Sequence, residues 1–440
     1  MNVSFRRSVV LAVAVLGAAP MAAAEVYFVS GANLPGTDFT NLQVAIDAAA
    51  DGDVLLVANS GVIPEAVIGN KSLVIAGVES EGTGLRPLVT RLAVVGLEAG
   101  KSIVVRDFQV FFSSNEQNYF DVTDCAGAVL FENCRLHAGV NQQNKPISVA
   151  NVKNSAHVLF TRCDFEGSDG LGTPGFGGTS TATIGGPGLV VEASSVTLYE
   201  CHVTGGKGSV AFFYADSPIL PVPSSGGGQG IQVWSGMLNL VGTTVQAGAG
   251  GAGSDPATGG VQCLAPSPGG AGVRSFGTVR RLDSQLTGGA GGAGVSCFPA
   301  AASGQEIVLL PGGSVMSVPE AARSLEISSA LENGGTCSVA LHGAPGELLT
   351  LLLSFTPSAS WHVGLKGTLA GQPPYVTALL GPLDGNGALA FDVPLAGNLL
   401  PAAVDSLSFT AQAIAAASSG GGLLSSPTAV LLVHDVPHVP

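Results

Sequence analysis

Charge is scarce in this chain. Asp, Glu, Lys and Arg make up 11% of its 440 residues, where a globular domain carries about a quarter. No Lys/Arg cluster stands beyond the first two dozen residues. Nucleic-acid binding needs such clusters to neutralise phosphates, so this absence argues against a nucleic-acid partner. Aromatics are sparse at 6%, with Trp 2. Past the N-terminus no apolar run approaches the ~20 residues of a membrane span; Val430 to Val433 is one strand long. Helical periodicity is almost absent. What remains is apolar, at 46% hydrophobic residues, and rich in turn formers, with Gly 63 and Pro 26. Together these two are about a fifth of the chain, below the roughly 25–30% of low-complexity sequence. The composition predicts folded β-structure, and the length predicts two domains.

The first 24 residues have the layout of a secretory signal peptide: Arg6 and Arg7, an apolar stretch from Val9 to Ala19, then Pro20 and the small residues Ala22-Ala23-Ala24 before Glu25. Removing Arg6 and Arg7 takes the formal charge from −14 to −16. Export permits disulfides among the seven Cys and leaves at least one sulfur unpaired. The expected location is extracellular or in the cell envelope.

One helix is expected after the leader, over Thr40 to Ala50, where Thr40 and Gln43 have capping-box spacing and Leu42, Val44, Ala45, Ile46 and Ala49 give an apolar face. Asp51-Gly52-Asp53 ends it. The strands Val54-Leu55-Leu56-Val57 and Lys71-Ser72-Leu73-Val74-Ile75 follow. This order resembles the opening of secreted bacterial right-handed parallel β-helix proteins of the pectin-lyase-like superfamily, in which such a helix caps the first coil. The resemblance covers about fifty residues. Asn59-Ser60-Gly61 stands where that opening commonly has Gly-Thr-Tyr.

An internal repeat extends the same reading. Around Cys134, apolar residues lie two after (Leu136), three before (Phe131) and five before (Val129). The template recurs as Phe165, Phe160 and Val158 around Cys163, and as Val203, Leu198 and Val196 around Cys201. It recurs again around Phe108 (Val110, Val105, Ile103) and Thr243 (Val245, Leu240, Leu238). Leu73, Ile75 and Val78 fit upstream, whereas Ser284 keeps Leu286 and Val279 but has Arg281 in the third slot, as if the stack frays there. Anchors at 78, 108, 134, 163, 201, 243 and 284 are 26 to 42 residues apart, the period of a solenoid. Alternation within each unit marks a strand with one face inward, and the following phase shift marks a corner.

The growing spacings come from Gly/Ser/Pro-rich insertions at Ser168 to Gly188, Gly205 to Gly230, Gly248 to Gly272 and Gly288 to Gly294, predicted to share one flank. From about Ser324 eight short strands separated by turn residues predict a β-sandwich. They fall at 325–329, 337–341, 348–355, 361–365, 376–380, 388–393, 406–413 and 428–433. Asp384-Gly385-Asn386-Gly387 among them is a hairpin signal. Similar C-terminal modules occur on other secreted bacterial proteins. The expected organisation is therefore a signal peptide over 1–24, a parallel β-helix with Gly-rich insertions over 25–323 and a sandwich-like domain over 324–440.

Each candidate site has a plainer reading beside it. Cys134, Cys163 and Cys201 share one slot and no His shares it, so buried thiols in the core are expected rather than a metal site. Cys263 and Cys297, in consecutive insertions, are a disulfide candidate; Cys125 and Cys337 have no evident place. Asp121, thirteen residues before Cys134, matches the nucleophile spacing of the pectin methylesterases. However, that family's Phe-Ile-Phe-Gly and its Gln-Asp-Thr-Leu-Tyr run are missing, and the nearest other acid, Asp169, lies one coil on. Pectate-lyase, polygalacturonase and paired-carboxylate patterns are missing too. Gly250 to Ala257 resembles a single calcium nonapeptide and reads as a flexible loop, and Gly205-Gly206-Lys207-Gly208-Ser209 lacks the helix of a phosphate loop. Trp234 and Phe212-Phe213-Tyr214 have the chemistry to stack on sugar rings, with packing as the plainer role. The sequence thus predicts a non-catalytic secreted binding or structural surface, with no cofactor or metal, whose partners are extracellular glycans or envelope proteins. A polysaccharide-active lyase or hydrolase with an unfamiliar site is the alternative, and it rests on fold analogy.

Overall fold

The chain is described by a computed structural model over residues 24–79, 85–111, 120–138, 147–173, 181–214, 217–255, 263–329, 331–397, 399–400, 404–416 and 421–434. The leader expected over 1–24 lies almost wholly outside these residues. In the structure the repeat is a parallel β-helix with three all-parallel sheets. Sheet I has ten strands, from Val26–Val29 to Ser314–Val318. Sheet II has eight, from Val62–Ile63 to Gln285–Thr287, and sheet III eight, from Ala66–Ile68 to Ile307–Leu309. One coil passes from III to I to II, as in Ala150–Lys153, His157–Thr161 and Asp164–Glu166.

The sequence template is the inward face of this coil. Ile103, Val129, Val158 and Val196 stack in register, as do Val105, Phe131, Phe160 and Leu198 on sheet I. Val110, Leu136, Phe165 and Val203 stack on sheet II. None of the twelve is more than 1% exposed. Phe131 and Phe160 stack at 5.1 Å between ring centroids, and Phe165 meets Phe160 edge-on at 5.1 Å. Val78 departs from the template. The chain leaves the coil after it and resumes sheet II at Leu88–Val89, so Val78 packs instead on the outer side of sheet I. Nor does the stack end at Ser284: one further sheet I strand, Ser314–Val318, pairs with Thr278–Leu282, and Arg281 bonds Ser317 at 2.9 Å.

The corners are as regular as the strands. Asp107, Asn133, Arg162, Glu200 and Asp283 have φ between 47° and 60°, as does Gly242, each one residue before an anchor. Cys134, Cys163 and Cys201 are buried, and their thiols point to the carbonyls of Glu132, Thr161 and Tyr199 at 3.3–3.4 Å. Thr243 and Ser284 make the same bond with hydroxyls. A second corner, between sheets III and I, places Cys125: it heads a row continued by Ser155 and Ser194, whose side chains likewise bond the carbonyl two residues back.

Leu42–Ala48 is the one α-helix among the described residues, and Leu42, Ala45 and Ile46 cover the first coils. Its N-cap is Asn41, whose side chain accepts from Val44 N–H, rather than Thr40. Gln43 is engaged elsewhere. Its amide makes two bonds to the Val67 backbone on the outermost strand of sheet III, which has no earlier coil to pair with.

The insertions all leave between sheets II and III, and their described arms are hydrogen-bonded to one another, which corrects the reading of 250–257 as a flexible loop over its described part. Their arms are extended and bonded every third residue, the repeat of a polyproline II helix. Gly205, Gly208 and Ala211 donate to Gln246, Ala249 and Ala252; Ala247, Gly250 and Gly253 donate to Thr287, Ala290 and Ala293 (2.8–3.1 Å). Returning arms lock to outgoing ones in the same rhythm. Gly228 and Ser225 donate to Gly206 and Ser209, and Gly270 and Ser267 to Gly248 and Gly251. Glycine is required by crowding: a Cβ at Gly248 would lie 1.8 Å from the Gly206 oxygen and one at Gly251 1.7 Å from that of Ser209. At the tips Cys263 and Cys297 form a disulfide with Cα atoms 6.4 Å apart.

Beyond Val318 the described residues build three further sheets, two of them around a separate core that includes Leu325, Leu341, Leu351, Leu380, Ala411, Val430 and Leu432. Ser324–Ile327, Thr336–His342 and Ala388–Pro394 form one sheet. The other orders Leu331–Glu332, Thr428–Val433, Ser406–Ala416, Leu348–Ser354 and Val376–Pro382, with Gly422–Leu424 on Ser406–Ala416. Asp384 to Gly387 is a tight turn, with Asp384 accepting from Asn386 and Ala388 N–H. It joins no hairpin, because its flanking strands enter different sheets. The strand expected at 361–365 falls at Pro357–His362 and pairs with Gly367–Gly371, which the sequence reading missed.

This module sits on sheet I. The outward residues of sheet I are apolar as well: Val54, Leu56, Val104, Leu130, Leu159, Tyr199 and Val241 pack with Ala359, Ala370, Leu423, Leu431 and Val433 of the module. Strands buried on both faces lose the polar-outward alternation, and Val54-Leu55-Leu56-Val57-Ala58 is such a run.

Phe160→Asp places an unpaired charge at a fully buried slot and is expected to unfold the solenoid; an unchanged melting temperature would contradict the register. Gly248→Val is expected to lower the melting temperature, because its Cβ collides with a backbone oxygen that cannot rotate away. Differential scanning calorimetry against a Gly69→Val control, which meets no heavy atom within 4 Å and likewise lies outside the left-handed region, separates this clash from the general effect of replacing a glycine by valine.

Candidate functional site

The outward face of sheet III carries the polar and aromatic side chains with chemistry to offer. Its register sets them in rows. Val67, Ala93, Asp121, Asn151, Val190, Gln232, Arg274 and Val308 share one outward slot. Two residues on, Val95, Thr123, Lys153 and Glu192 share the next. Trp234 and Phe276, each just after its strand, continue that row and are held by backbone bonds to Val191 and Val233. Their rings are 5.7 Å apart and 13° from parallel, and Trp234 is 48% exposed. Gln232 and Arg274 flank them, and Lys153 pairs with Glu192 at 3.4 Å.

Asp121 lies at the N-terminal end of this face. Its carboxylate faces Arg91 at 3.4 Å and accepts from Asn151 at 3.3 Å. Arg91 also pairs with Glu65, and Ser148 donates to Asn151 at 2.5 Å. Burial raises the Asp121 carboxyl above its usual range, against the opposing pull of Asn151 and Arg91. Both acids, Glu65 and Asp121, are thus turned onto the Arg91 guanidinium. Asp169 is not brought to it. It lies in the first glycine-rich insertion and accepts the Lys207 N–H at 2.7 Å.

A cleft of about 820 Å³ lies where the corner residues of the β-helix meet the module. Arg106, Asp107, Glu132, Asn133 and Arg162 face Glu326, Ser328, Ser338 and Asp392 across it. Glu132 is 4% exposed. Its carboxylate accepts from Arg162, the Thr428 hydroxyl and the Ala429 N–H (2.7 Å), with Arg106 at 3.7 Å. Burial alone would push this carboxyl up; the two guanidinium groups, with Thr428 and Ala429, outweigh it and hold it below the usual glutamate range. Arg162 continues to the Leu325 carbonyl at 3.1 Å and Arg106 to that of Ala429. Farther along, Tyr199 accepts from Thr368 N–H at 2.8 Å and Thr197 meets Thr368 at 2.7 Å. These groups are consumed in fastening the module. The sequence hid them because Glu132 and Arg162 read as outward strand and corner residues.

The other candidates resolve as packing or staples. Burial pushes the Cys134 and Cys163 thiols well above their usual value, so they stay protonated in the core. Cys337 is half-buried in the module. Asp255 lies beside the Cys263–Cys297 pair, but its carboxylate is held by the Ser296 N–H and hydroxyl, which lower its pKa. Phe212–Tyr214 forms a strand paired with Ser217–Val222. Among the described residues no helix is long and apolar enough to cross a membrane. Searched against known proteins, the chain matches no protein-family model and no curated protein.

Glu132→Ala leaves two guanidinium groups facing each other and is expected to cost about 3–5 kcal/mol. Because the folded-state carboxyl is lowered, the stability it contributes is present above the ordinary glutamate range and is lost as pH falls through the folded-state value. Urea denaturation of the wild type and Glu132→Gln at neutral and acid pH checks this: the gap between them should close in acid.

Proposed function

We propose that this is a secreted, non-catalytic β-helix protein that binds neutral glycans on the outward face of sheet III. The exposed Trp234, ranked with Phe276 in a fixed row, is the observation that carries the reading. An indole offers a flat apolar surface to the C–H face of a sugar ring. The neighbouring amide of Gln232 and the guanidinium of Arg274 supply hydrogen bonds to hydroxyls. Such a site combines apolar contact with a few convergent polar groups, as ligand sites do, and rigid stacked strands support it from below. The net charge of −14 and the lack of a basic cluster disfavour polyanionic sugars. The turning of Glu65 and Asp121 onto Arg91 favours binding over turnover.

A glycan array followed by titration calorimetry tests this. Trp234→Ala is expected to weaken binding to the selected neutral glycan at least tenfold, with the melting temperature unchanged. Equal affinity in Trp234→Ala would refute the site. Turnover of any glycan that disappears in Asp121→Asn would replace binding by catalysis.

A further inference from the structure

The two ends of the β-helix are finished differently. The first coils are covered by Leu42–Ala48, whose apolar face is buried on them. Among the described residues nothing comparable covers the last coil. Val315 stands in the inward slot of Val279 and Leu238, which are fully buried, yet it is 43% exposed. Leu309, in the slot of the buried Ser275 and Val233, is also 43% exposed, and the adjacent Met316 55%. An open apolar cross-section rimmed by unpaired strand edges is what solenoid caps exist to prevent.

The glycine lattice is open at the same end. In earlier coils the donors of one outgoing arm are taken by the next, as Ala247, Gly250 and Gly253 are taken by Thr287, Ala290 and Ala293. The corresponding N–H groups of Gly288, Gly291 and Gly294 have no backbone partner among the described residues. On the returning arm, the carbonyls of Gly228 and Ser225 accept from Gly248 and Gly251, and those of Gly270 and Ser267 from Gly289 and Gly292. Their counterparts, the carbonyls of Gly304 and Ala301, accept no backbone N–H from a described residue. The end thus presents a row of donors on the outgoing arm and, on the returning arm, a row of acceptors beside the N–H groups of Ser303 and Glu306, which also have no backbone partner among the described residues.

From this we infer that the open end is the interface of a tail-to-tail homodimer. The topology fits a two-fold axis perpendicular to the solenoid, passing through Ser314–Val318 on one side and the last insertion on the other. Such an axis lays Ser314–Val318 antiparallel on its copy. It exchanges sheets II and III, so Gln285–Thr287 meets the partner's Ile307–Leu309. It also exchanges the outgoing and returning arms, so the donor row meets the acceptor row, Gly288 opposite the partner's Gly304 and Gly291 opposite the partner's Ala301. That order repeats the antiparallel pairing already made inside the hairpin, where Gly304 donates to Gly289 and Ala301 to Gly292. A single foreign strand would cover one edge. A second copy covers three sheet edges, both arms and the exposed Val315 and Leu309 together, and an isologous contact closes without forming a fibre. The other end is covered by Leu42–Ala48, so head-to-tail growth is disfavoured.

Light scattering coupled to size exclusion of the full chain over a concentration series is expected to give a dimer. A Val315→Lys/Leu309→Lys variant, altered only at exposed positions, should run as a monomer with wild-type melting temperature. Met316→Cys, near the axis, should form a covalent dimer under mild oxidation, whereas Val62→Cys, exposed on the flank, should not. A wild type that is monomeric throughout overturns the inference. So does a dimer that survives the double substitution, and so does a dimer in which Met316→Cys fails to cross-link.

Discussion

Each coil of this protein leaves its strand N–H and C=O groups unsatisfied until another coil lies directly on it, at the ~4.8 Å spacing of paired strands. That requirement fixes the register, and the register fixes nearly everything else. Residues in one slot stack on residues of the same slot, so a mistake repeats along the axis and only slots of uniform character survive. Phe131 on Phe160 and Cys163 on Cys201 are products of the same rule. So are the left-handed corner residues, which recur one per coil at the same position because each coil must turn where its neighbour does.

The glycine-rich insertions obey the requirement by another geometry. Leaving the coil, each arm must keep the inter-coil spacing or abandon its bonds. A three-residue helical repeat without side chains allows it to keep both. Side chains would fill the space into which neighbouring carbonyls project, so glycine here is a consequence of close backbone packing. Composition alone reads one of these segments, Gly250 to Ala257, as a flexible loop. Their described arms form a second hydrogen-bonded layer beside the solenoid, and Cys263–Cys297 joins two of the insertions.

Sheet I shows how far the outer surface has been divided between roles. Its outward face is surrendered to the C-terminal module through apolar contact and the Glu132 network. Sheet III keeps a polar and aromatic face, and the end of the last coil keeps its backbone edge. A buried ion pair contributes little net stability against an apolar replacement of equal shape, but it penalises misalignment. The arrangement of Glu132 between Arg106 and Arg162 therefore sets where on sheet I the module sits more than how tightly it holds.

The sequence by itself determined the period, the inward slots and the change of architecture near Ser324, because stacking imposes one residue character per slot and that character is visible in a single chain. It also held the Cys263–Cys297 pair in view, since two cysteines at equivalent insertion positions stand out by spacing. Three further features were decided in tertiary structure. The outward face of sheet I became an interface, a fact coded only as lost alternation in runs such as Val54 to Ala58. The spacing Gly288-Gly289-Ala290-Gly291-Gly292-Ala293-Gly294 did carry a period of three, but its meaning depended on neighbouring arms contributed by other coils. The turn at Asp384 to Gly387 had hairpin chemistry, yet its flanking strands went to separate sheets. Local chemistry fixes the bend of a turn, whereas the partners of the strands it joins are fixed by which apolar faces the rest of the fold leaves uncovered.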